Sequence, residues 1–89
     1  MTFRVLITPA AERQLRKLDK PVAKRLLIFL REGLDRENPR RQGKQLVGSS
    51  TWRYRVGDYR ILATIEDEVV TVTIVDVGHR RAIYRDSGN

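Results

Sequence analysis

Trp52-Arg53-Tyr54-Arg55-Val56-Gly57-Asp58-Tyr59-Arg60-Ile61-Leu62-Ala63-Thr64-Ile65 contains two runs of alternating side chains on either side of Gly57-Asp58. Successive side chains of a strand point to opposite faces, and a two-residue Gly/Asp step is a hairpin turn. The reading is two antiparallel strands, Thr51 to Val56 and Tyr59 to Glu66. Trp52, Tyr54 and Val56, with Tyr59, Ile61, Ala63 and Ile65, then form a core face. Arg53 and Arg55, with Arg60, Leu62 and Thr64, fall on the open face. A two-residue turn sets Val56 opposite Tyr59 and Arg55 opposite Arg60. Like charges directly across a strand pair cost up to about 1 kcal/mol, so selection for stability alone does not place them there. A bound polyanion or an acidic partner would turn that repulsion into binding.

Upstream, Phe3 to Ile7 reads as a short strand. Thr8 can cap the free N–H groups of a following helix, and Pro9 suits its first position. Ala11, Leu15 and Leu18 recur at helical spacing, with Glu12 near the positive end of the dipole. Asp19-Lys20-Pro21 breaks and restarts the chain. Val22, Leu26 and Phe29 with Ala23, Leu27, Leu30 and Leu34 make a wide apolar stripe, which Asn38-Pro39 stops. Pro39 to Ser50 reads as a loop. Downstream, Asp67-Glu68 is a second turn and Val69 to Val77 a third strand of this group. The order β-α-α-β-β-β predicts an α+β fold, a helix hairpin packed on a mainly antiparallel sheet.

At 89 residues the chain has room for a single domain, residues 1–89. It has no cysteine, which excludes a disulfide framework or a zinc–thiolate site. Its start lacks a signal-peptide layout and no apolar run reaches membrane-spanning length, so a cytoplasmic protein without membrane contact is expected. The net charge is +7. Lys17, Lys20, Lys24 and Lys44 are the only lysines among the 18 basic residues, so the other fourteen are arginine. A guanidinium fork binds phosphate oxygens in pairs. From Arg40 to Arg60 the bases Arg40, Arg41, Lys44, Arg53, Arg55 and Arg60 meet one acid, Asp58. That concentration points to an oriented polyanion contact.

The chain continues Val77-Gly78-His79-Arg80-Arg81-Ala82-Ile83-Tyr84. Gly78 lets it bend at the strand end, which would bring His79, Arg80 and Tyr84 to the rim of the arginine face. No metal-ligand, Walker or dinucleotide motif is present, and Glu66-Asp67-Glu68 sits at a hairpin tip. Phosphate chemistry without metal or cofactor would then rest on guanidinium stabilisation of the transition state, with proton transfer by His79 or Tyr84.

The block Trp52 to Arg60, the step Leu46-Val47-Gly48 before it, and Val77 to Arg81 followed by Tyr84 resemble the RelE toxins of type II toxin–antitoxin pairs. The resemblance covers essentially the whole chain. It implies an endoribonuclease that cuts messenger RNA in the ribosomal A site and so inhibits translation. The ribose 2′-OH attacks its own neighbouring phosphate, leaving a cyclic phosphate and a free 5′-OH, so RNA is required. It implies Arg60 on the scissile phosphate, Arg80 at the end of the last strand and Tyr84 stacked on a base. Arg53 and Arg55 would line the cleft, with Lys44 and Arg81 as further RNA contacts. The best-studied members have lysines where Arg53 and Arg55 stand. Arginine stays protonated up to roughly pH 12 and is a poor base, which makes His79 the better candidate for general base. The alternative is activation of the 2′-OH by positioning and electrostatics. Charge and resemblance together imply an acidic, RelB-like antitoxin that wraps the toxin in a hetero-oligomer. The alternatives are a ParE-like inhibitor of DNA gyrase, a non-catalytic RNA-binding module, and a toxin-like chain acting mainly as half of a repressor complex.

Overall fold

Why the chain turns from strand to helix at Thr8 is visible in its bonds. Its N–H donates to the Ile74 carbonyl at 3.0 Å, continuing a strand pairing. Its Oγ1 accepts from the Ala11 N–H at 3.2 Å, capping the helix that starts at Pro9. The computed structural model describes residues 2–79. They form β1 (Arg4–Ile7), α1 (Pro9–Lys17), α2 (Lys20–Ile28), β2 (Lys44–Gln45), β3 (Thr51–Val56), β4 (Tyr59–Glu66) and β5 (Thr71–His79). The sheet order is β1-β5-β4-β3-β2. Only β1 and β5 run parallel, and the other pairs are antiparallel. The expected α+β architecture is thus present, two helices on a mainly antiparallel sheet.

The hairpin has the expected register, with Val56 opposite Tyr59 and Arg55 opposite Arg60. Tyr54, Ile61, Ala63, Val72 and Ile74 from the sheet meet Ala11, Leu15, Leu26 and Leu30 from the helices, all 5% exposed or less. This is the contiguous apolar layer that the alternation and the helical stripe prescribe.

Four boundaries differ from the expectation. Phe3 lies outside β1, because its N–H goes to the Arg36 carbonyl at 2.8 Å. α2 does not run on to Asn38-Pro39. A single wide turn, Phe29–Gly33, follows it, closed by the Leu34 N–H on the Phe29 carbonyl at 2.8 Å. The loop contains the two-residue strand β2, paired through Lys44↔Arg53 and Gln45↔Trp52. Finally, β5 is displaced at both ends: it begins at Thr71 and runs past Val77 to His79, with Gly78 paired to Arg60 inside the strand instead of bending the chain at its end. Val69 and Val70 belong to a longer turn in which the Val70 N–H meets the Asp67 carbonyl at 3.2 Å and Val70 has φ 48°. The β-branched run Val69 to Val72 has strand propensity throughout, but turn closure overrides it at the first two positions.

β5 also carries a bulge. Ala63 pairs with Ile74 and Leu62 with Asp76, leaving Val75 as an extra residue. Beyond the end of β1, Gln14 of α1 covers the outer edge of β5: its Oε1 accepts the Val77 N–H at 2.8 Å.

The loop between helix and sheet is tied at both ends by arginines. Arg40 grips Asp67 through two bonds of 2.9 and 2.8 Å and lies 5.7 Å over the Trp52 ring. Arg41 bonds Asp35 at 2.8 Å. The hydrogen bond from Arg40 holds the Asp67 carboxyl below its usual range, and that from Arg41 does the same for Asp35. A carboxyl lowered by folding contributes stability above its unfolded pKa and loses it as pH falls through the folded one. Trp52 is the only tryptophan. Its emission is therefore expected to change in an acid step below about pH 4, before global unfolding. Asp67→Asn should abolish the step. An unchanged step in that variant would refute the assignment.

Candidate functional site

On the face of the sheet away from the helices, the register builds two rows. One is Arg55↔Arg60↔Gly78 and the other Lys44↔Arg53↔Leu62↔Asp76. Directly paired Cα atoms in an antiparallel ladder lie about 4.5–5.5 Å apart, so four cations are gathered at the hairpin end of the sheet. The next row, Thr51↔Thr64↔Thr73, is uncharged. The far row, Arg4↔Thr71↔Glu66, carries one charge of each sign, so the excess of positive charge lies at the hairpin end of the face. Arg25 of α2 adds a cation near this end: a methyl group in place of the Gly57 hydrogen would stand 2.9 Å from its Nη1. Periodicity cannot reveal that contact, because it joins a helix to a turn 32 residues away (25 to 57).

The predicted residues are not equivalent. Arg55 is exposed, Arg53 half-buried, and Arg60 only 6% exposed. Leu62, on the same face, is 8% exposed. Strand parity places both on the open side, as expected, but not in open solvent. β4 is the central strand, flanked by β3 and β5, and a side chain there has neighbours on both sides. Burial raises the electrostatic worth of Arg60, since a guanidinium away from bulk water acts through a lower dielectric.

His79 departs from the expected convergence. It pairs with Tyr59, and the two rings meet edge-to-face at 5.3 Å. Tyr59 belongs to the Ile61 and Ala63 side of β4, so His79 shares the helix-side face and is exposed at its rim. The bulge at Val75 is the reason, because it shifts the phase of β5 by one residue. Arg80, Arg81 and Tyr84 lie outside the described residues. Asp76, which sequence reading passed over, is brought onto the arginine face by the same shift. Among the described residues, no group of three His, Cys, Asp or Glu side chains is placed to hold a metal ion.

Relatives among known proteins match most of the chain. The family model for the ParE toxin of the type II toxin–antitoxin system parDE matches residues 5–84. Toxin RelG of Mycobacterium tuberculosis is 40% identical over 87 residues, covering 96% of this chain and 99% of the relative. The chain belongs to the RelE/ParE family of type II toxins. Toxin RelE of the same organism is 34% identical over 85 residues, covering 93% and 87% of the two chains. Among solved structures, a chain of the toxin–antitoxin complex RelBE2 from Mycobacterium tuberculosis superposes on this toxin with a TM-score of 0.82. The two are 35% identical, with 90% of this chain and 100% of that one covered. A mutant of Escherichia coli toxin RelE in the free state gives a TM-score of 0.77 at 27% identity, covering 98% and 93%. The two helices and five-stranded sheet of the toxin are those of the RelE structures.

Proposed function

We propose that this toxin is a metal-independent endoribonuclease that cleaves messenger RNA at the ribosomal A site and thereby inhibits translation in the cytoplasm. The observation that carries the reading is the Arg55↔Arg60 pair beside the Lys44↔Arg53 pair on one face of the sheet. Two like-charged pairs in direct register weaken the ladder, and a phosphodiester seated between them offsets the repulsion. Arg60 would engage the scissile phosphate and gain strength as charge develops in the transition state, with Arg53, Arg55 and Lys44 fixing the strand. Arg80, Arg81 and Tyr84 extend the proposed contacts by resemblance alone. The named relatives are RelE and RelG toxins, which favours ribonuclease chemistry. The matching family model describes ParE, so inhibition of DNA gyrase is kept as the second reading.

An acidic, RelB-like antitoxin is the proposed partner, as in the RelBE complexes whose chains resemble this one. The outer side of α2 offers it a fitting surface. Leu27 and Ile28, the latter 44% exposed, are edged by Lys20, Lys24 and Arg31. An amphipathic helix with flanking carboxylates is the complement of such a strip.

Induction of the chain alone should arrest growth, and mapped transcript ends should fall inside codons at the A site. Cleavage should persist under excess chelator once ribosome integrity is controlled for, and co-expression with a small acidic protein encoded beside the toxin should restore growth. Intact transcripts together with loss of gyrase supercoiling in extracts would replace this reading with the ParE-like one.

A further inference from the structure

The bulge at Val75 has a specific effect on chemistry-bearing side chains. Strict alternation from Val72 and Ile74, both fully buried, would point Asp76 into the apolar layer. Instead Leu62 pairs with Asp76 and Ile61 with Val77. Val77 takes the core position at 3% exposure, and Asp76 moves to the face of Leu62 and Arg60. Gln14 holds the shifted register from outside through the Val77 N–H at 2.8 Å. Bulges beside active sites commonly serve to re-aim one side chain.

Among the described residues, the cationic end of this face is otherwise made of Arg53, Arg55, Arg60, Lys44, Leu62 and Gly78. Arg53, Arg55 and Arg60 remain protonated throughout the physiological range. His79 sits with Tyr59 on the other face. The Tyr54 hydroxyl is buried and donates to the Pro39 carbonyl at 2.6 Å. Glu66 pairs with Thr71 at the far end of β4, and Asp58 lies in the hairpin turn. Among the described residues, Asp76 is the carboxylate inside the two cationic rows, diagonal to Arg60 and across Leu62 from Arg53.

We infer that Asp76 is the general base of this toxin's cleavage reaction, an assignment that rests on the ribonuclease reading above. Its carboxylate takes the proton of the ribose 2′-OH. The O2′–P bond forms, the P–O5′ bond breaks, and the departing 5′-oxygen takes a proton from water. The proton held on Asp76 neutralises the resulting hydroxide, leaving a cyclic phosphate and a 5′-OH. Among the described residues of this face, the charged group nearest Asp76 in the register is Arg60 on β4, diagonal to it. Arg53 and Arg55 on β3 follow, with Lys44 on β2 at the end of Asp76's own row. Their positive charge allows a carboxylate to approach a phosphodiester that would otherwise repel it.

Single-turnover cleavage on programmed ribosomes by the full chain tests this. Asp76→Asn keeps the side-chain size and removes the basic oxygen. It should lower the cleavage rate about a hundredfold to ten-thousandfold, leave thermal unfolding and ribosome binding intact, and flatten the acid limb of the pH–rate profile. Asp76→Glu should recover part of the rate and the acid limb. Asp76→Asn cleaving within about threefold of the parent, less than general-base loss allows, would overturn the assignment and leave the ribonuclease reading standing. Parallel loss of binding and rate would make Asp76 a structural residue, and an acid limb lost in His79→Gln instead would transfer the role to His79. A parent chain that cuts no RNA in this assay would remove both readings together.

Discussion

Arg60→Ala is expected to lower the cleavage rate by on the order of a hundredfold or more, the usual cost of one preorganised donor at a developing anion. Arg60 sits opposite Arg55 in the central strand and is 6% exposed. A guanidinium so placed pays little reorganisation when charge appears on the phosphate. Arg60→Lys should recover only part of the rate, because an ammonium loses the paired geometry of the fork. The stability effect has two opposing parts. Truncation relieves the like-charge contact with Arg55 but also removes a packed side-chain stem, so Arg60→Met is the better probe of charge alone. The control for bulk charge is Arg31→Ala, exposed in the turn after α2. Arg40 is unsuitable for that purpose, since it is bonded to Asp67 and rests on Trp52. Equal losses in Arg60→Ala and Arg31→Ala, both mimicked by added salt, would reduce the face to a nonspecific electrostatic surface.

The largest effect on stability is expected at Tyr54, which stands between Arg53 and Arg55 in sequence but points the other way. Its side chain is fully buried, packs on Phe29 with ring centroids 5.8 Å apart, and donates its hydroxyl to the Pro39 carbonyl at 2.6 Å. Gly43 lies so close that a Cβ there would meet the Tyr54 ring at 3.0 Å. One residue therefore joins helix, sheet and the 35–43 loop. Tyr54→Phe leaves a carbonyl without its donor and should cost about 1–3 kcal/mol. Tyr54→Ala should cost about 3–5 kcal/mol, a large share of the roughly 5–15 kcal/mol of a typical domain. Urea unfolding measures both. Burial pushes the Tyr54 hydroxyl up to about 12. Folding thus favours its neutral form, a contribution complete below about pH 10 and lost as pH rises through 12. Absorbance titration should show one of the three tyrosines ionising last, and Tyr54→Phe should remove that step. A Tyr54→Phe variant as stable as the parent would refute the role of the bond to Pro39.

What could be read from the residues depended on whether the signal was local. The Gly57-Asp58 turn fixes its own register, so the Arg55↔Arg60 juxtaposition followed from alternation. Thr8-Pro9 likewise marked a helix start that the capping bond realises. β5 was less legible. Its apolar residues suit a strand from Val69 onward, and nothing in its own composition announces a bulge. That feature depends on Gln14, more than sixty residues earlier, and on the end of β1 at Ile7. The phase shift decides the faces of both Asp76 and His79, so this part of the site was hidden. Arg60's burial was hidden for a related reason: parity gives the face of a side chain, whereas its exposure depends on strand order.

That β1 pairs in parallel with β5 (Arg4↔Thr71 through Ile7↔Ile74) has a consequence for how the protein is born. β1 is made before the helices and receives its partner only when β5 has been made. Until then α1 has neither the Ile74 carbonyl that holds Thr8 nor the Val77 amide that Gln14 covers. The hairpin of β3 and β4 can close early, since its contacts are local, but the sheet it belongs to cannot be completed until β5 has been made. A nascent chain that ends before β5 therefore carries the paired arginines of the hairpin without Asp76 and without the β1–β5 side of the sheet. The complete sheet, with Asp76 turned onto the arginine face, exists only once β5 has joined it.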